Sequence, residues 1–255
     1  MDNFLPSPIE RYANVIAALP VRDRFGKSDL LIPEFRLFRD NSLEIYYAPF
    51  DFANAKARVA IVGITPGWTQ MEMAFRHTRL ALKEGLSFSD GSQEAKKVAS
   101  FAGAMRNNLV KMLNEIGLQK ALGVESCVSL FGNATEFLHT TSAIRYPTFV
   151  RGRNYTGHSP EILSHPILVH FVEHVLAPEL VSMPGALVIP LGKCVDTVLG
   201  SLVKAGSLDA KACLLGFPHP SGANGHRRAE FEQGRDMLSE TVGCWAKGLC
   251  GSSRP

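Results

Sequence analysis

The sequence predicts an α/β protein, a three-layer α/β/α sandwich around a short, mainly parallel central sheet of about four strands. Two observations carry this. Short apolar runs bounded by turn residues read as strands buried on both faces, and the segments between them repeat their apolar residues at helical spacing. Strands that alternate with helices pair in parallel, because each crossover returns the chain to the same end of the sheet.

A helix is expected near residues 9–18, then an extended stretch at 34–47 that forms a hairpin within an N-terminal cover over 1–45. The first buried strand is 58–63 (RVAIVG). Over 100–116, Phe101, Ala104, Met105, Leu109, Met112, Leu113 and Ile116 share one helix face. A strand at 136–141 comes next. Helices at 161–181, 193–205 and 227–246 then alternate with strands at 186–192 (ALVIPLG) and 212–217 (ACLLGF). Residues 247–255, with two glycines and two serines, are expected to form a flexible tail. No repeat or linker divides the chain, so a single domain over 1–255 is expected.

Composition narrows the class. With 45% apolar and 20% charged residues the chain reads as an ordinary globular protein. The acidic, weakly apolar start is not a secretory signal, and no apolar run reaches the ~18 residues of a membrane helix. Five scattered cysteines without a C-x-x-C pair point to reduced thiols, a cytoplasmic setting, and no zinc or iron–sulfur site. A net charge of +3 is compatible with a polyanionic partner without requiring one. The basic residues are grouped: Arg145, Arg151 and Arg153 in one polar stretch, Arg227 and Arg228 after a Gly-rich loop.

Ligands of open parallel sheets bind where strands turn into helices at their carboxyl ends. Two such turns stand out, Gly63-Ile64-Thr65-Pro66-Gly67-Trp68 after the first strand and 218–228 (PHPSGANGHRR) after the last. Both combine small residues, backbone N–H groups and a polar side chain, which suits close approach to a phosphate chain. The first resembles the opening motif of the uracil-DNA glycosylase superfamily, and His219-Pro220-Ser221 resembles its second motif. Gly85-Leu86-Ser87-Phe88-Ser89 is similar to the segment that brings an aromatic ring onto the flipped base. The stretch 47–53 (YAPFDFA) resembles the single-strand-selective branch, and 219–227 the mismatch-specific branch. The chain is thus identified as an atypical member.

The resemblance implies hydrolysis of the N-glycosidic bond of uracil in DNA, after base flipping, with no cofactor or metal and as a monomer. Other deaminated bases such as hypoxanthine or xanthine are further expected targets. His219 is the catalytic candidate, a neutral imidazole N–H aimed at a pyrimidine carbonyl where negative charge develops. Thr65 stands where many relatives carry Asp or Asn to handle the attacking water. A hydroxyl can accept a hydrogen bond from water but is no base near neutral pH. Asp51, Asn133 and Asn154 are alternatives for that role, and the sequence does not choose among them. Gly63 and Ile64 border the expected base pocket, with Phe88 or Trp68 stacking on the base. Ser142 stands at the position of a base-reading Asn, and a hydroxyl reads a base edge less selectively than an amide. DNA contacts are expected from backbone amides at Gly67 and Ser221, from the loop residues Gly222 and Asn224, and from Arg153, Arg227 and Arg228.

Two other readings compete. A member of the same fold can bind DNA or a nucleotide without cutting it. Alternatively, His170, Glu173 and His174 match the H-x-x-E-H pattern of inverted zinc peptidases, with the two His one helical turn apart. That pattern lacks a third ligand in the sequence and lies in an otherwise ordinary amphipathic helix.

Overall fold

A computed structural model describes residues 10–100 and 104–251, and it is mixed α/β as expected. Its helices and strands, in chain order, begin with α1 (Glu10–Ala17), α2 (Lys27–Leu30), β1 (Arg36–Arg39), β2 (Glu44–Tyr46) and β3 (Val59–Gly63). Next come α3 (Trp68–Lys83), α4 (Phe88–Ala99), α5 (Ala104–Glu115), α6 (Leu118–Leu122), β4 (Leu138–Ser142), β5 (Thr148–Val150) and β6 (Arg153–Asn154). The remainder is α7 (Pro166–Phe171), α8 (Ala177–Val181), β7 (Leu187–Pro190), α9 (Lys193–Lys204) and α10 (Arg227–Gly251). Among the described residues no helix is long and apolar enough to cross a membrane.

The residues group into two compact units. One comprises the described chain through Phe52, Thr65–Ser100 and Ile144–Glu161. It holds an antiparallel sheet in the order β1-β2-β5-β6, together with α1 to α4. The expected hairpin at 34–47 is β1 and β2, closed by Asp40, whose Oδ1 accepts the N–H groups of Ser42 and Leu43 at 2.6 and 2.8 Å. A second hairpin pairs β5 with β6 across Arg151 and Gly152, both at positive φ (49° and 71°), as a tight twisted turn requires. Helices α3 and α4 lie outside the expected set. Buried Glu72 and Arg79 interrupt the apolar stripe of α3. Glu72 is paired with Arg76 at 3.0 Å, and Arg79 Nε donates to the carbonyl of Leu19 at 2.6 Å.

The other unit comprises Ala53–Ile64, the segment ending at Ala143, and Ile162 onward. Its core is the parallel sheet β4-β3-β7. All five β3 residues are buried, so this central strand is apolar throughout. Val59 and Ile61 face a cluster built from Leu109, Leu113, Phe231, Leu238 and Trp245 of α5 and α10. Ala60 and Val62 lie on the opposite face, level with His139 and Thr141 of β4. Glu179 of α8 bonds both of those polar residues, so helices cover both faces of the sheet. A π turn at Val172–Leu176 joins α7 to α8. Its extra residue rotates α8 by about 100° relative to α7, which helps bring Glu179 to face the sheet.

The expected fourth strand at 212–217 is not one. Only a single bridge, Val188 to Cys213, remains, with Leu214 N–H on the Val188 carbonyl at 2.8 Å. Gly216, at φ +86°, turns the backbone off the ladder, and its N–H goes to Asp196 Oδ1 at 2.5 Å. The central sheet therefore has three strands, with this segment edging β7. At the carboxyl end α10 continues helically through 247–251, part of the expected tail. Residues 252–255, 1–9 and Phe101 lie outside the described residues.

Candidate functional site

The carboxyl ends of the parallel strands bring four of the expected site residues into one unit. Gly63 and Ser142 are partners in register at the ends of β3 and β4, and Ala143 N–H bonds the Gly63 carbonyl at 2.8 Å. Ile64 follows, half-buried. Beside them Leu191 N–H bonds the Val62 carbonyl at 2.9 Å, and Gly192 N–H then bonds the Phe217 carbonyl at 3.0 Å. That last bond places His219 against Gly192. A Cβ on Gly192 would lie 2.8 Å from the His219 Cβ, and the backbone there has φ 87° and ψ 166°, a conformation open in practice to glycine alone. A cleft of about 300 Å³ is lined by Gly192, Lys193, Asp196, Phe217, His219 and Asn224.

His219 is half-buried, and that burial pulls its pKa below the ordinary 6.5, so the ring is neutral near pH 7. Ser221 donates its backbone N–H to His219 Nδ1 at 3.2 Å. A neutral ring that accepts at Nδ1 carries its proton at Nε2. The side chain thus presents one N–H donor. The loop behind it is held from three sides. Asn108 Nδ2 donates to the Pro220 carbonyl at 3.0 Å, Arg227 to the Ser221 carbonyl at 2.7 Å, and Asn224 Nδ2 to the His219 carbonyl at 3.4 Å and to Glu230 at 3.0 Å.

These bonds revise the expected DNA contacts. The Ser221 amide is turned onto His219, and the Gly67 amide onto Gln70 Oε1 at 2.7 Å, so both are satisfied within the chain. Asn224 staples its own loop, and Arg227 spends part of its guanidinium there. Gly222 and Arg228 remain exposed.

The other unit holds the remaining site residues. Thr65 donates its hydroxyl to the Tyr146 carbonyl at 2.8 Å, leaving only its lone pairs for water. Trp68 and Phe88 are half-buried at the first positions of α3 and α4, and the Trp68 N–H is taken by Asn154 Oδ1 at 3.0 Å. Arg153 is exposed in β6 next to the hairpin turn that holds Arg151. Asp51 accepts the hydroxyl of Tyr146 at 2.5 Å and that of Tyr47 at 2.8 Å.

The His170 and His174 rings stack, with centroids 4.4 Å apart and planes 19° from parallel. Nitrogen lone pairs lie in the ring plane, so near-parallel stacked rings do not aim them at one point, as a metal would need. Glu173 is exposed, and no group of three or more His, Cys, Asp or Glu that could hold a metal ion occurs among the described residues.

No family model matches the chain. It is 41% identical over 242 residues to the uncharacterized protein YoxB of Bacillus subtilis (strain 168), across 94% of each chain. The chain belongs to the YoxB family. Coverage of that extent takes in both units. Within this YoxB-family chain, the residues that sequence reasoning passed over are Gly192, Asn108, Tyr47 and Tyr146. The glycine had a legible signal, since it ends a buried apolar run, as Gly63 does.

Proposed function

We propose that the chain is a DNA base-excision enzyme of the uracil-DNA glycosylase kind. It hydrolyses the N-glycosidic bond of uracil, and of other deaminated bases, to leave an abasic site. The observation that carries this is His219: a neutral imidazole at the sheet's carboxyl end, with Nδ1 occupied by the Ser221 N–H and Nε2–H free to donate. Breaking the bond leaves negative charge on the pyrimidine, and a fixed donor aimed at that charge is the largest single source of rate in such a reaction. Ser142 and Gly63, paired in register at the strand ends, would meet the base edge. Exposed Arg228 and Gly222 would meet the phosphates. The protein would act on DNA in the cytoplasm as a monomer.

Incubation with oligonucleotides carrying uracil, hypoxanthine or xanthine, single- and double-stranded, followed by alkali, tests this. Strand cleavage at the lesion is the expected result. Binding without cleavage on every substrate would instead identify a DNA-binding member of the fold that does not cut.

A further inference from the structure

Asn108 lies in the middle of α5, half-buried, beside Leu109, Met112 and Leu113, which pack into the core. Asparagine is a poor helix former, so nothing in α5 itself calls for it there. Its amide reaches out of the helix instead. Nδ2 donates to the Pro220 carbonyl at 3.0 Å, and a carbonyl only accepts, so the Nδ2 end of the amide is the one that faces it.

The Pro220 carbonyl is one end of a peptide unit whose other end is the Ser221 N–H. That N–H is the donor to Nδ1 of His219 at 3.2 Å. The unit is trans and planar, with its C=O and N–H pointing in opposite directions. Holding the oxygen on Asn108 therefore aims the N–H at the ring. The proline ring fixes its own φ, so the freedom that remains here is rotation of this plane, and Asn108 removes it. The neighbouring planes are pinned too. Asn224 Nδ2 holds the His219 carbonyl at 3.4 Å, and Arg227 holds the Ser221 carbonyl at 2.7 Å. Arg227 also reaches the Pro220 carbonyl at 3.4 Å. Hydrogen bonds in series polarise one another, so donors on the Pro220 oxygen strengthen the Ser221 N–H as a donor. All of these groups belong to the unit built on the parallel sheet.

A ring nitrogen that faces a fixed N–H cannot carry a proton of its own. Were the plane free to turn, Nδ1 would be open to one. The result would be the other neutral tautomer, with no donor at Nε2, or a charged ring in a half-buried site. Lys193 and Asp196 of α9 and Glu230 of α10 line the same cleft, and Arg227 stands behind the loop. Burial is what lowers the pKa of the ring.

We propose that Asn108 is a positioning residue that acts through the Pro220–Ser221 peptide to fix the tautomer of His219 and keep its Nε2–H donor in place. Its effect on excision rests on the glycosylase reading above, and its effect on the ring does not.

The test reads the His219 ring directly, by ¹⁵N resonance of the full chain through the imidazole titration, beside single-turnover excision of uracil from an oligonucleotide. Wild type should show a neutral ring protonated at Nε2. In Asn108→Ala the Nδ1–H tautomer should appear and the protonation midpoint should rise. The maximal excision rate should fall by about tenfold at unchanged half-saturation. Alanine is the better helix former, so the change does not weaken α5 itself. A merely structural Asn108 would lower stability yet leave the tautomer and midpoint as in wild type, and that result overturns the proposal. So does a wild-type ring protonated at Nδ1. Should Asn108→Ala not fold, Asn108→Leu, similar in size and without a donor, is held to the same outcomes. Wild type that excises none of the bases overturns the glycosylase reading instead, and the ring measurements alone then decide the role of Asn108.

Discussion

Ser221 donates its backbone N–H to Nδ1 of His219 at 3.2 Å, and that one bond sets which ring nitrogen carries the proton. Protonation of the ring would leave two N–H groups facing each other, and burial already disfavours the charged form. The folded-state pKa thus lies below the ordinary 6.5 of an unfolded chain. Above that value the ring is neutral in both states and costs nothing. As pH falls below 6.5 the unfolded chain takes up the proton first, so stability is lost down through the depressed folded pKa. Urea unfolding at pH 7.5 and pH 5 should show a smaller acid loss in His219→Asn than in wild type. Equal losses would contradict the lowered pKa of the buried ring.

Gly192 is the surface against which His219 rests. Gly192→Ala should cost about 1–3 kcal/mol from backbone strain and side-chain overlap. It should also slow excision beyond that of an equally destabilised variant elsewhere. Thermal unfolding together with a uracil-excision rate measures both. An alanine variant as stable and as active as wild type would show that the close approach has no consequence.

Glu179 accepts from His139 Nε2 at 2.8 Å and from Thr141 at 3.0 Å, with the Glu179 and His139 side chains both 1% exposed. His139 Nδ1 accepts the Asn54 N–H at 3.3 Å, so the ring donates to the carboxylate at Nε2. Glu179→Gln sets an amide N–H against one of those donors. It should destabilise by about 3 kcal/mol in denaturant titration. A loss under about 1 kcal/mol would mean that the network relaxes around the amide.

Thr65 spends its proton on Tyr146, so it can only accept from water. Thr65→Ala should lower excision about tenfold or less. A loss as large as that of His219→Ala would give the Thr65 hydroxyl a larger part than positioning water.

The sheet was legible because its strands are buried on both faces, so apolar runs at 58–63 and 186–192 read directly as β3 and β7. The run at 212–217 has the same appearance, yet it leaves the ladder at Gly216. A ladder and an edge path bury the same side chains, and only the register tells them apart. Helices α3 and α4 were hidden because Glu72, Arg79 and Lys96 are buried polar residues, and the carbonyls that hold Arg79 and Lys96 lie far off in sequence. For the same reason His219 was legible as a residue following a buried apolar run, while Ser221 read as a phosphate ligand. Its amide turns onto a ring two residues away, which residue type alone does not show. Lys96 Nζ donates to the Phe50 and Phe52 carbonyls, more than forty residues away in the chain.

Excision by this chain should depend most on His219. The measurement that tests this most directly is the single-turnover rate of uracil excision by wild type and His219→Ala, with the variant's fold checked by circular dichroism. Measurable excision by wild type and a loss of about a hundredfold or more in the variant is the predicted result. A variant that excises uracil at the wild-type rate would contradict it.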